Sequence, residues 1–291
     1  MRNRTRSLEE RVWEPVKRKV HTCAILGGNG PLVMPDLFSD PLAYEDLMGR
    51  WSLRLAPLFA KFAGVGDGGR LLDVGCGTGS LTRTVAALTR RSEIVGIDPV
   101  AAFVEYAREQ VKERRVSFDV GDAQALPYPA ASFDAALSCL VFHFIPDPVK
   151  AAGEMKRVTR PGGTVAACTW DVRGMEMSAL FWDAAVEQDP AAEAKRHRPL
   201  GRAGELTALW QSTGFRGVEE RPLVISMDFA SFEDYWTPLS KGIGPQGAYV
   251  ASLPPGPRER LRAAVEARFR DRGAPGPFSL RAQALAVRGL A

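Results

Sequence analysis

The chain has 291 residues, 45% of them hydrophobic and 25% charged, enough for one large α/β domain or a domain with an elaboration. No apolar run approaches the roughly 18 residues of a membrane span, and the N-terminus lacks the apolar core and small-residue cleavage site of a secretory signal. All of the formal net charge of +4 resides in residues 1–33, where seven basic and three acidic side chains leave the remainder balanced at 31 basic and 31 acidic, so no basic face argues for a nucleic-acid partner.

Residues 1–33 read as a disordered basic leader, and Met34, which opens "MPDLFSDPLAYEDLMGRWS", as a natural start. The four cysteines, Cys23, Cys76, Cys139 and Cys168, are few, and none stand at metal-ligand spacing. They read as the reduced thiols of a cytoplasmic protein without a metal site.

From Asp40 to Phe62, Leu42, Leu47, Leu53, Leu55, Leu58 and Phe59 predict short amphipathic helices interrupted by Pro57. Residues 34–63 thus form an N-terminal helical lid, ahead of a domain over 64–291. "RLLDVG" (70–75) is a buried strand, followed by a helix over 80–90 with Leu81, Val85 and Leu88 at helical spacing. "EIVGID" (93–98) is the second strand. "PVAAFVEYAREQVKER" (99–114) predicts a helix with Pro99 at its first position. "VSFDVGDA" (116–123) and "FDAALSCLVFHF" (133–144) supply two more strands, and a helix over 148–160 ends at Pro161-Gly162-Gly163. "TVAACTW" (164–170) is the fifth strand. Strands alternating with helices predict a doubly wound, Rossmann-like parallel sheet with right-handed crossovers.

"LLDVGCGTGS", from Leu71, sets Gly75, Gly77 and Gly79 two apart after the first strand. In such sheets ligands lie beyond the carboxyl ends of the strands, where strand order reverses. Glycines there let the backbone turn tightly against a ligand, and the following helix offers free N–H groups. Asp98 ends the second strand, where a carboxylate accepts both hydroxyls of a ribose. At the end of the third strand, Asp122 and the Ala123 backbone suit an adenine amine and ring nitrogen. Three loops at one sheet edge describe an adenosine site. A dinucleotide loop wants a third glycine where Ser80 stands.

"LLDVGCGTG", "IVGID", "GDAQALPY", "FDAALSCLVFHF" and "RVTRPGGTVA" together resemble the motif series of class I S-adenosylmethionine-dependent methyltransferases, with the ubiquinone/menaquinone-biosynthesis-type small-molecule group as the nearest match. The likeness is dense over residues 40–170 and thins beyond Trp170. It implies a seven-stranded sheet whose last strand is antiparallel, with residues 216–227 and 282–289 as the final two strands. It also implies roles by position. Gly75, Cys76, Gly77 and Gly79 cradle the methionine part of S-adenosylmethionine, and Asp73 orients that loop. Asp98, followed by Pro99, takes the ribose, and Asp122 with Ala123 takes adenine. Ser138 and Cys139 lie beneath the sulfonium. Tyr44 and Arg50 belong to the lid, with Arg50 on the methionine carboxylate.

Methyl transfer is an in-line displacement that needs positioning and exclusion of water, and a base only if the acceptor must lose a proton. His143 is the catalytic candidate, although a lone histidine among Phe142, Phe144 and Ile145 is also a common packed residue. The acceptor, a small apolar or aromatic molecule, belongs to lid insertions at about 172–215 and 228–280. There Phe181, Trp182, Tyr235 and Trp236 are candidate pocket aromatics, and "SKGIGPQGAYV" (240–250) a mobile gate. Two alternatives stand beside this: a catalytically silent S-adenosylmethionine-binding partner protein, and a nicotinamide-dependent oxidoreductase.

Overall fold

The computed structural model describes residues 40–270 and 272–291. The basic leader, the start at Met34 and Cys23 lie outside the described residues.

A one-turn helix α1 (Pro41–Tyr44) is capped by Asp40, whose Oδ1 accepts the N–H groups of Leu42 and Ala43 at 2.9 and 3.1 Å. A π turn (Glu45–Gly49) leads straight into helix α2 (Arg50–Ala63). Trp51, Leu55, Phe59 and Phe62 form its buried stripe. The interruption expected at Pro57 does not occur. Pro57 sits inside α2 on its exposed side, beside Leu53, Arg54 and Leu58, so the missing N–H does not open the core face.

The alternating units follow as β1 (Arg70–Val74), α3 (Ser80–Leu88), β2 (Glu93–Asp98), α4 (Ala101–Gln110), β3 (Val116–Val120), β4 (Phe133–Cys139), α5 (Pro148–Val158) and β5 (Thr159–Met175). Helices α6 (Glu176–Gln188), α7 (Glu193–Arg196) and α8 (Glu205–Ser212) come between β5 and β6 (Arg216–Phe229). Helices α9 (Phe232–Ser240), α10 (Gly244–Ser252) and α11 (Pro255–Arg270) come between β6 and β7 (Phe278–Leu290). The seven strands run in the order β3-β2-β1-β4-β5-β7-β6. Strands β1 to β5 pair in parallel, and β7 is antiparallel to both β5 and β6. Strand order reverses between β1 and β4, which places the loops after those strands at the expected crevice.

Four boundaries differ from the sequence reading. Pro99 precedes the N-cap Val100, so α4 starts at Ala101. Strand β4 ends at Cys139, because Leu140 takes the left-handed backbone (φ +66°) and a 3-10 turn follows over Phe142–Phe144. Helix α5 passes directly into β5 at Thr159, so Pro161-Gly162-Gly163 fall within the strand's bounds instead of ending the helix. The glycine-rich stretch read as a gate is largely helix α10. Gly247 lets it approach its neighbour closely: a Cβ there would lie 2.8 Å from the Gly242 carbonyl carbon.

Apolar side chains cover both faces of the sheet. One core joins α2, α6, α9 and α11. The other lies under α5 and α8, where buried Trp210 donates its indole N–H to the Val165 carbonyl at 3.1 Å. Among the described residues no helix is long and apolar enough to cross a membrane.

Candidate active site

Two cavities adjoin at the carboxyl ends of β1, β2 and β4, sharing Tyr44, Leu140 and Phe144 in their walls. The first, of about 560 Å³, holds the glycine loop. Gly75, at φ +73°, approaches Val141 so closely that a Cβ would lie 2.5 Å from its γ-methyls. The N–H groups of Gly75 and Cys76 both donate to the Ile97 carbonyl, at 2.7 and 3.0 Å, and fix the loop to β2. Gly79, also left-handed (φ +87°), is the N-cap of α3; this is a conformation that glycine adopts without steric cost.

Three buried oxygens on this wall, Asp73 Oδ1, Thr78 Oγ1 and Ser80 Oγ, have no hydrogen-bond partner among the described residues. A buried polar atom left so is costly unless a ligand or water satisfies it. The other Asp73 oxygen accepts the Thr82 hydroxyl at 2.6 Å. Burial, with a contribution from the Asp98 charge, pushes the Asp73 carboxyl up to about 7. Asp98 lines the same cavity, and each of its oxygens accepts a backbone N–H at 2.9 Å, from Val100 and from Gly77. Burial raises its pKa despite these bonds. Its remaining lone pairs stay able to accept hydroxyl groups.

Of the residues singled out in the sequence, the first cavity brings together Tyr44, Asp73, Gly75, Cys76, Gly77, Asp98 and Cys139. Tyr44 packs on Phe103 with ring centroids 5.3 Å apart, and its hydroxyl is 3.4 Å from Ser52 Oγ. Cys139 lies in register with Cys168 on β5, and the Cys168 thiol donates to it across 3.5 Å.

Others are placed elsewhere. Arg50 is held away from the cavity by Asp234, which accepts from its guanidinium at 2.9 and 3.1 Å, while the guanidinium stacks 4.4 Å above Trp51. Ser138 is fully buried and gives its hydroxyl to the Val74 carbonyl at 2.9 Å, tying β4 to β1. Asp122 is exposed, with its carboxylate taken by the backbone and side-chain amides of Gln124. Ala123 packs into the core under α5, and Pro99 is exposed ahead of α4. Thr78, Ser80, Phe103 and Val141 were missed. The seryl at the third-glycine position was the available signal for Ser80.

The second cavity, of about 760 Å³, is walled largely by apolar side chains that include Leu47, Met48, Met175 and Met177. His143 lies on this wall, but both ring nitrogens face backbone carbonyls: Nδ1 is 2.7 Å from Pro199 O and Nε2 3.1 Å from Trp170 O. The carbonyls favour a doubly protonated ring. Burial, aided by the Arg198 charge, outweighs them and holds the imidazole down at about 4. A neutral ring carries one N–H, so His143 donates to only one of these carbonyls, and its other nitrogen faces the second carbonyl instead of the cavity. The expected pocket aromatics are core residues. Phe181, Trp182, Tyr235 and Trp236 are buried against one another and their neighbours, and α6 contributes Met177 and Ser178 to the cavity instead.

Residues 72–167, which carry β1 through most of β5, match the family model described as a methyltransferase domain. The chain carries a class I methyltransferase domain. Such domains take S-adenosylmethionine, and the residues present fit it: one carboxylate oxygen and two hydroxyls with no partner among the described residues would receive its amino-acid part, and Asp98 keeps lone pairs for a ribose. The chain is similar to the fatty-acid O-methyltransferase of Mycolicibacterium smegmatis, 35% identical over 42% of this chain and 44% of that protein. It is similar to the demethylmenaquinone methyltransferase of Deinococcus radiodurans, 40% identical over 32% of this chain and 40% of that one. These matches span less than half the length of the curated relatives. A solved Haemonchus contortus phosphoethanolamine N-methyltransferase 2, in complex with phosphomonomethylethanolamine and S-adenosylhomocysteine, superposes with a TM-score of 0.55 at 18% identity over 88% of this chain and 58% of its own. At that identity the likeness is one of fold.

Proposed function

We propose that this chain transfers a methyl group from S-adenosylmethionine, held in the first cavity, to a small apolar molecule held in the second. The observation that carries this reading is the common wall of Tyr44, Leu140 and Phe144 between a polar cavity with unsatisfied oxygens and a largely apolar one. S-adenosylmethionine brings an activated methyl on a cationic sulfur. Asp73, Thr78 and Ser80 would hold its amino-acid part, and Asp98 its ribose. Leu140, Val141 and Phe144 exclude water between the two moieties, and Tyr44 covers both cavities from α1. Positioning of nucleophile against methyl supplies the acceleration. The unpaired thiols Cys76, Cys139 and Cys168 support a reducing, cytoplasmic setting.

The test is formation of S-adenosylhomocysteine by the purified chain with quinols, phenols, small amines and apolar carboxylic acids. Acceptor-dependent formation is the expected result; none with any acceptor, despite cofactor binding, would favour a silent partner protein.

His143 enters this account as a positioning residue. His143→Gln is expected to lower the melting temperature while costing less than about tenfold in kcat and leaving its pH profile unchanged, because loss of a general base would cost about 100-fold or more. Turnover by the two proteins across pH 6–9 checks this.

A further inference from the structure

Two residues that line the second cavity, Arg198 and Trp170, keep N–H groups with no acceptor among the described residues. Its charged groups are otherwise accounted for. Arg196 pairs with Asp183 at 2.8 Å and with Glu193 at 3.8 Å. Asp171 accepts the Arg173 N–H at 2.9 Å and the Gln283 amide at 2.8 Å. Arg198 differs. Its Nη1 donates to the carbonyls of Lys195 and His197, at 2.9 and 2.7 Å, and among the described residues no carboxylate pairs with it. The rest of its guanidinium fork remains available. Burial lowers its pKa to about 10, with no neighbouring charge to offset the effect. On the same wall the Trp170 indole N–H is buried with no acceptor among the described residues.

The segment that presents Arg198 is fixed to β5. His143 Nδ1 lies 2.7 Å from Pro199 O, the Thr169 hydroxyl donates to Leu200 O at 2.6 Å, and the Val172 N–H donates to Gly201 O at 2.9 Å. Leu200 is held at φ +58°, a backbone conformation leucine rarely adopts. A cationic fork and a second N–H, held in an apolar wall, attract an acceptor-rich planar anion more strongly than they would in water.

We propose that Arg198, assisted by the Trp170 indole, anchors a carboxylate of the methyl acceptor, so that the acceptor is an apolar molecule with an anionic end. This rests on the two-cavity reading given above. Arg198 borders only the second cavity, whereas Tyr44, Leu140 and Phe144 border both. The anchored carboxylate is therefore the remote end of the acceptor, and the methylated atom is a different nucleophile facing the shared wall.

The test uses the full chain saturated with S-adenosylhomocysteine and titrated calorimetrically with two matched pairs: 4-hydroxycinnamate with its methyl ester, and decanoate with decanol. In at least one pair the acid is expected to bind about tenfold or more tighter than its neutral twin. Arg198→Gln should erase that preference without changing affinity for S-adenosylhomocysteine, and Arg198→Lys should keep part of it. Equal binding within both pairs, binding of neither member of either pair, or a preference that survives in Arg198→Gln would overturn the anchor. Failure of the wild-type chain to bind S-adenosylhomocysteine at all would instead sink the cavity assignment beneath it.

Discussion

Lowering the pH from 7.5 to 5.5 is expected to weaken S-adenosylmethionine binding by roughly twentyfold, with Asp73 as the cause. Its carboxyl is buried, bonded on one side to Thr82, unsatisfied on the other, and pushed up to about 7 by burial and by Asp98. An ammonium placed against it needs the ionised form. Below pH 7 the proton must first be lost, which costs about tenfold in affinity per pH unit; above pH 7 the carboxylate is ready and the dependence levels off. Asp73→Asn removes the charge, so its affinity should be lower by about 1.5–3 kcal/mol at pH 7.5 and nearly flat with pH.

The cofactor-free protein gives the opposite sign in stability. A carboxyl whose pKa is higher in the folded state contributes stability in acid, below its ordinary range, and loses it as pH rises through 7. Asp73→Asn should therefore melt above wild type at pH 7.5 without cofactor. Calorimetry at pH 5.5, 6.5 and 7.5, with melting curves at pH 7.5, checks both. A flat wild-type binding profile would remove Asp73 from the ammonium.

Gly75→Ala is expected to weaken S-adenosylmethionine binding by about 100-fold or more while the sheet still folds. An alanine at φ +73° is strained by about 1–2 kcal/mol. Its methyl would also stand 2.5 Å from the Val141 γ-carbons. The loop is pinned to the Ile97 carbonyl by two N–H groups, so relief comes by moving Val141, which lines the cavity, or by breaking those bonds. Val141→Ala in the Gly75→Ala background removes the nearest contact atoms and should restore part of the affinity, leaving the backbone cost. Isothermal titration of the four proteins of this cycle measures the coupling. Near-additive losses would mean that the loop does not rest on Val141.

The sheet was legible because its strands are short apolar runs punctuated by glycine, proline and acidic residues, with helical spacing between them. Misreadings arose where a local signal met a tertiary one. Pro57 breaks a helix by rule, yet α2 turns it to the exposed side. Gly247 read as freedom and serves close packing within a helix. In the site, Asp73, Gly75, Gly77 and Asp98 were readable because loops after adjacent parallel strands must meet at one edge. Arg50 was not, because its partner Asp234 lies 184 positions away and nothing local announces it. Ser138 turned inward to the Val74 carbonyl for the same kind of reason. The aromatics of α6 and α9 have the spacing of a pocket and of a core alike, and packing decided for the core. Arg198 escaped notice because only the ties of residues 199–201 to His143, Thr169 and Val172 bring it to the second cavity.

The most direct test of the central claim is calorimetric titration of the purified chain with S-adenosylmethionine, S-adenosylhomocysteine and NAD at pH 7.5. Micromolar binding of the first two, with no heat from NAD, is the predicted result. Binding of NAD alone, or silence with all three, would contradict it.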